Sequence, residues 1–395
     1  NPFAGPRRKP YPLPPLKMTA RMQLFGEAAK RLGYHPFIGP AAVTSEPYRP
    51  PAPYDTRIPE RPACVYCGHC NHYGCHVNAK ASTLHTAIPV ALQTGNLELR
   101  TNCKVAAITT DDKGIATGVQ YFDPDGVLQE QRARVVILSA FVFEHVRLLL
   151  LSKGNGKRFK KGLANSSGLV GKCFFGHGDM RVYGLFDDFI INGFIGSGAA
   201  AMRMDDFNGN NFDHTGLGFI RGGTVGCSGD GAPVSRMDIV PPDVRSWGKE
   251  FKDYFMRYYT RTFDVHMAPE TLPRRDNSVD LDPRRRDHWG LPLPRVTFAF
   301  HDNEKRMHLF LADIGERILR EAGASKVWTE LPRAAPTRQC GGTRMGSDPK
   351  NSVVNGYCQS HDVPNLFIVG SSVFPTMSGY PATATISALA YRTAE

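Results

Sequence analysis

The sequence has no apolar run of 18 or more residues, which leaves no candidate for a membrane-spanning helix. Its longest apolar stretch, Val135 to Leu138 with Ala140 to Phe143, is broken by Ser139 and closed by Glu144, a strand-like pattern. No initiator Met, signal peptide or twin-arginine leader stands at the start. The Gly-x-Gly-x-x-Gly turn that follows the first strand of a dinucleotide-binding unit is absent too. Gly222-Gly223 with Gly226, and the glycines from Gly193 to Gly198, lie mid-chain in the wrong context. Nor is there a basic stripe with regularly spaced aromatics. Lys+Arg number 48 against Asp+Glu 37, a net charge of +11, but the cations fall in short clusters. Arg7-Arg8-Lys9, Lys157 to Lys161 around Phe159, and Arg284-Arg285-Arg286 read as solvated surface or partner contacts and argue against nucleic-acid binding.

The 395 residues suffice for two domains, and 41% hydrophobic with 22% charged residues is an ordinary globular composition. Pro2, Pro6, Pro10, Pro12, Pro14 and Pro15 predict an extended opening. Ala20 to Leu32 has helical apolar spacing and ends at Gly33, and Ser82 to Thr94 predicts a second helix capped by Ser82 and stopped by Gly95. Asn96 to Arg100, Lys104 to Thr109 and Gly118 to Phe122 read as strands. Arg134 to Leu138 is a buried parallel-type strand, with a helix at Glu144 to Ser152 behind it. The Gly-rich middle, Met180 to Phe300, predicts an antiparallel sheet, and Asn303 to Ala322 a long helix. Asn1 opens inside a Pro-rich connection and Glu395 stops inside a helix without a cap, so the chain reads as a fragment cut at both ends.

Four of the nine cysteines, Cys64, Cys67, Cys70 and Cys75, follow C-x2-C-x2-C-x4-C. That is near the ferredoxin spacing, without its closing x3 and proline. Zinc, with His69, His72 or His76 as alternative ligands, and disulfides or free thiols stand beside an iron–sulfur cluster as readings. Cys103, Cys173, Cys227, Cys340 and Cys358 are scattered and read as small buried hydrophobes. His177, His266 and His301 sit beside strand-like runs and read as structural, with His177 placed to line a cleft. Asp276 to Pro283 lacks the glycine and closing Glu of a calcium loop and reads as a strand with turns.

The C-terminal stretch carries the strongest pattern. The apolar strand Asn365 to Val369 ends in Gly370-Ser371-Ser372, then comes a second turn at Ser378-Gly379-Tyr380-Pro381, and a helix starts near Thr385. Such a corner exposes backbone N–H groups to an anion or a flavin edge. Gly341-Gly342-Thr343-Arg344-Met345-Gly346, Phe374-Pro375-Thr376 and Thr385 to Ala390 together resemble the C-terminal signature of the glucose–methanol–choline oxidoreductases. Arg134 to Ala140 through Arg147 to Ser152, and Asn165 to His177, resemble two further family signatures in the same order. The Pro-rich opening and the cysteine run resemble the gluconate, fructose and sorbitol dehydrogenase branch.

The resemblance implies an α/β plus α+β chain: an incomplete Rossmann-like FAD-binding domain with an inserted antiparallel-sheet substrate domain. Residues 1–175, with the Cys-rich loop 64–75 and without a first βαβ unit, would form the FAD-binding domain. Residues 176–330 would bind substrate, and 331–395 would return to the FAD-binding domain. The implied activity is oxidation of an alcohol of a sugar, polyol or sugar acid, with hydride passing to FAD. Implied flavin contacts are Val105 at the adenine, Gly370 and Ser371 at the pyrophosphate and ribitol, and Ala382 and Thr383 at the isoalloxazine edge. The branch also implies an iron–sulfur cluster, electron transfer to a cytochrome or small partner subunit, and a periplasmic, partner-attached location. An oxygen-using oxidase or an impaired flavin-binding homologue are the alternatives. The family's base, a His just before the Gly-Gly-Thr element, falls on Arg338 or Gln339, and its partner position falls on Tyr380 or Pro381. Neither Arg nor Gln accepts a proton at neutral pH as imidazole does. Either another residue is the base, or the alignment shifts locally, or the copy is impaired. The missing glycine turn reads as a boundary of the fragment.

Overall fold

The computed structural model describes residues 2–3, 10–50, 57–70, 73–153, 158–193, 196–229, 237, 239–332 and 335–395. The basic run Arg7-Arg8-Lys9, Lys157 and the candidate ligand His72 lie outside the described residues. The chain divides into two compact units, 1–98 with 179–269 and 306–331, and 99–178 with 270–305 and 332–395. The boundaries fall at 98/99, 178/179, 269/270, 305/306 and 331/332. Residues 1–98, which include the Cys-rich loop, cluster with 179–269 and 306–331.

The first unit is built on a six-stranded antiparallel sheet. Its order is β1 (Phe37–Ile38), β8 (Ala201–Met204), β9 (Gly223–Ser228), β10 (Thr262–Pro269), β7 (Met180–Leu185) and β13 (Lys326–Glu330). Helix α1 (Ala20–Arg31) and the part of α5 (Asp302–Glu321) from Arg306 onward share one core with it. On α5, Met307, Leu311, Ile314 and Ile318 are buried at helical spacing, while Asp313, Arg317 and Arg320 are exposed. Gly315 lets this helix approach the sheet, since a Cβ there would come within 2.9 Å of Val182 Cγ2. The short α4 (Gly248–Tyr258) rests on a smaller cluster of Tyr183, Leu185, Ile239 and Trp328.

The helix expected over Ser82 to Thr94 is broken. Ser82 Oγ accepts from the Leu84 amide and caps a 3₁₀ turn at Thr83–His85, and α2 runs only over Ala87–Gln93. Pro89, with no N–H to return to the preceding turn, accounts for the break at Thr86. Asn96 to Arg100 forms no strand.

The second unit holds a parallel pair, β5 (Val136–Leu138) with β15 (Leu366–Ile368), in the register Val136↔Leu366 to Leu138↔Ile368. Helix α3 (Phe141–Leu151) follows β5, and α6 (Thr383–Ala394) closes the chain. A meander of β2 (Lys104–Thr110), β3 (Ala116–Phe122) and β4 (Leu128–Arg132) flanks them. Two antiparallel pairs complete the unit, β6 (Phe175–His177) with β14 (Thr337–Cys340), and β11 (Ser278–Arg286) with β12 (Pro292–Thr297). The parallel pair with its following helix is the expected partial Rossmann-like element, and β11 confirms that Asp276 to Pro283 is strand and turn. Arg147, inside a family signature, is buried. Its Nη2 donates to Asp287 at 2.5 Å, Nη1 to Glu144 at 3.2 Å and Nε to the Pro292 carbonyl at 2.7 Å, tying α3 to the β11–β12 turn.

Candidate functional site

The second unit gathers the signatures around the end of the parallel pair. Leu138 leads through Ala140 into α3, and Ile368 leads into Gly370, whose φ of 149° suits glycine. A Cβ at Gly370 would stand 3.1 Å from His145 Cε1. His145 is wholly buried and its two nitrogens are both used. The Ala140 amide donates to Nε2 at 2.7 Å, so the proton resides on Nδ1 and is donated to Ser372 Oγ, 2.6 Å away. Thr343 Oγ1 donates to the same hydroxyl at 2.7 Å. Burial pushes the His145 imidazole down to about 4, so it is neutral at physiological pH.

This network fastens three loops together. The Gly341 and Thr343 amides donate to the carbonyls of Ser371 and Ser372, and Ser371 Oγ donates to the Gln339 carbonyl at 2.7 Å. Gly341 has φ of 78°, and any Cβ there would collide with the Cys173 carbonyl oxygen, so the Gly-Gly-Thr element is steric in origin. Sequence reasoning missed His145 altogether. The available signal was its place on the buried stripe of Val142, Val146 and Leu149.

The candidate catalytic residues lie in the same unit. Arg338 sits on β14 at a left-handed φ of 49°. Beside it, Gln339 Nε2 donates to the Pro336 carbonyl at 2.9 Å and closes the turn from Pro336 to Gln339. Thr337 pairs with His177 across β6 and β14. His177, fully buried, shares a 2.8 Å hydrogen bond through Nε2 with the Ser378 carbonyl, and so holds the turn that carries Tyr380. Val105 on β2 is half-buried and packs on the core that also receives Ala382 of the α6 N-terminus. Arg338, Gln339, Tyr380, Val105, Gly370, Ser371, Ala382 and Thr383 therefore all belong to one unit.

The α6 N-terminus has no side-chain cap. Its N-cap Ala382 supplies no side-chain bond and its first turn holds no acid, while Thr383, Ala384 and Thr385 are exposed. Their amides are left for an outside acceptor.

The cysteines fit a metal poorly. Cys64, Cys67, Cys70 and Cys75 belong to the first unit, and all nine cysteines are free thiols, so the disulfide reading is set aside. Among the described residues no group of three or more His, Cys, Asp or Glu could hold a metal ion. Cys70 instead lies 3.8 Å from Ser197 Oγ. At Cys75, burial raises the thiol pKa, but amide bonds from Lys80, Val77, Ala79 and Asn78 outweigh it and hold the pKa below the usual thiol value. Cys173, Cys227, Cys340 and Cys358 are buried as expected, whereas Cys103 is only half-buried.

Fold and site together define a flavin-type α/β oxidoreductase scaffold. GMC oxidoreductase signatures match residues 55–178 and 273–390, and the chain belongs to the GMC oxidoreductases. It is 37% identical to a gluconate 2-dehydrogenase flavoprotein of Pantoea cypripedii, over 100% of this chain and 65% of that protein. It is 32% identical to a 2-methyl-1,2-propanediol dehydrogenase of Mycolicibacterium austroafricanum, over 96% of this chain and 66% of that protein. A fructose dehydrogenase large subunit of Gluconobacter japonicus is 26% identical over 99% of this chain and 68% of its own length. The chain thus spans about two thirds of these relatives. A pyridoxine 4-oxidase structure from Mesorbium loti shares the fold at TM-score 0.53 and 16% identity, covering 79% of this chain and 60% of its own. Family membership implies FAD as cofactor.

Proposed function

We propose that this chain is the larger part of an FAD-dependent dehydrogenase that oxidises an alcohol group of a sugar, polyol or sugar acid. The observation that carries this is the 37% identity to a gluconate 2-dehydrogenase flavoprotein along the whole chain. When bound, FAD would supply the hydride acceptor. The residues proposed to hold it are Val105, Gly370, Ser371, Ala382 and Thr383, with the α6 amides facing the isoalloxazine edge. The His145–Ser372–Thr343 network would keep the Gly370 loop in place. Arg338, Gln339 and Tyr380 would line the substrate side and orient its hydroxyls.

Electrons would pass to a partner, a cytochrome or small subunit, and the location would be periplasmic and partner-attached. Both proposals rest on the resemblance of the Pro-rich opening and the cysteine run to the gluconate, fructose and sorbitol dehydrogenase branch. An iron–sulfur relay is given no step, because the four thiols are not gathered. A second reading, an impaired flavin-binding homologue, is favoured by Arg338: a guanidinium offers no lone pair to take the substrate proton.

The test is to purify the full gene product, record its visible spectrum, and mix it anaerobically with a panel of polyols, sugars and sugar acids. Flavin bands that bleach with one of them support the dehydrogenase. Flavin bands that never bleach support the impaired homologue, and a colourless protein rejects both.

A further inference from the structure

The first unit contains a cavity lined by none of the residues proposed to hold the flavin. Its volume is about 450 Å³, and it lies between the Pro-rich segment Tyr11 to Leu16 and the segment Ile38 to Thr44. The Ser45 hydroxyl donates to the Pro14 carbonyl at 2.6 Å and fastens the Pro-rich segment. Leu13, Leu16, Ile38 and Val43 contribute apolar wall, and a void of this size and lining falls in the range of small-molecule sites.

One charge breaks that wall. Arg61 is the sole ionic side chain among the lining residues, and it is half-buried. Its backbone pairs with Tyr48 in both directions. Its Nε donates to the Asn78 carbonyl at 3.3 Å, and its Nη2 to the Ala79 carbonyl. These bonds fix the guanidinium at the cavity and, among the described residues, leave Nη1 for another acceptor. Among the described residues, no carboxylate forms an ion pair with it. Besides the carbonyls, the thiolate form of Cys75 is the charge that acts on it, and a cation partly removed from water still gains from an anion brought to it inside the cavity.

We propose that this cavity binds an amphipathic monoanion, an apolar chain or ring bearing one carboxylate that pairs with Arg61. The apolar body would lie along the proline and aliphatic walls. A neutral hydrocarbon would bring no acceptor to the guanidinium, and a polyanion would find a single cation in the lining. The proposal uses none of the residues of the flavin reading, since every lining residue belongs to the first unit and the proposed flavin contacts to the second.

Equilibrium dialysis of the full-length protein against radiolabelled decanoate tests it. Saturable uptake of one decanoate per chain is expected, with decanol weaker by about tenfold or more. Arg61→Met should weaken decanoate by a similar factor. Because Arg61 also ties down the Asn78–Ala79 segment, Ala42→Trp provides a second variant that fills the cavity without touching Arg61. Loss of binding in Ala42→Trp with an unchanged melting temperature supports the site. Absence of saturable uptake, equal affinity for decanol, preference for a neutral decyl-quinone, or full binding in Ala42→Trp would each overturn it.

Discussion

His145 Nδ1 and Ser372 Oγ stand 2.6 Å apart in the interior of the second unit, and the Ala140 amide fixes which nitrogen bears the proton. Both ring nitrogens are committed only while the imidazole is neutral. Protonation would put a hydrogen on Nε2 against the Ala140 N–H, so acid breaks this contact first.

That geometry sets a pH dependence. An unfolded histidine titrates at about 6.5 and His145 in the fold at about 4, so between these values the unfolded chain binds more protons. The stabilisation is fully present above pH 6.5 and is lost as pH falls towards 4, by about 3 kcal/mol for the single site. His308, also held down to about 4 by burial, adds a similar contribution. His145→Gln should lower stability by about 2 kcal/mol at pH 7 and roughly halve the pH dependence between 4 and 6.5. Urea titrations of both proteins at several pH values measure this, and an unchanged slope would refute it.

Arg147 makes a second stability prediction. Replacing it with Met leaves the half-buried Asp287 with only backbone donors, at a cost of about 3 kcal/mol. Arg147→Lys keeps the charge but cannot reach Asp287, Glu144 and the Pro292 carbonyl together, so it should recover less than half of that loss. Denaturation midpoints decide, and equal stability of Lys and Arg would show that charge alone matters.

The legibility of the site divides along these residues. The strand–turn–helix corners at 134–152 and 365–394 can be read because apolar strands end in small residues there. Arg147 can be read only as part of a signature, since its partner Asp287 lies 140 positions away. The His145–Ser372 contact spans 227 positions and has no local trace beyond a histidine on an apolar helical stripe. The reverse failure is the cysteine run. Close spacing along the chain suggests converging sulfurs, but the backbone carries Cys70 to Ser197 and Cys75 into its own following turn. The break at Thr86 is legible in Pro89, although the apolar pattern around it argues for a continuous helix.

Arg338 is the sharpest point for activity. If the flavin-loaded gene product oxidises an alcohol slowly because its base is missing, Arg338→His should raise the rate by about a hundredfold or more. The gain should appear in kcat, with a pH profile rising through the imidazole range near 6.5. Dye-linked assays at several pH values would record it. A variant no faster than the parent, with flavin still bound, places the defect elsewhere, at Tyr380 or Pro381.

The thiols provide the last prediction. Alkylation needs the thiolate, and the four amides around Cys75 favour that form, whereas burial pushes Cys227 and Cys340 up to about 12. In iodoacetamide treatment at pH 7 followed by peptide mass spectrometry, Cys75 should be modified ahead of Cys227 and Cys340. Those two should resist until the protein unfolds. As pH is lowered, Cys75 should keep its reactivity below the point where an ordinary thiol near 8.5 has lost most of its own. If Cys75 loses its reactivity where an ordinary thiol does, its amides do not act on the sulfur. The same measurement bears on metal binding. Anaerobic reconstitution with iron and sulfide should leave the alkylation of Cys75 unchanged, because the described thiols are not gathered for a cluster. Joint protection of Cys64, Cys67, Cys70 and Cys75 after reconstitution would show that iron gathers them, and would restore the iron–sulfur reading of their spacing.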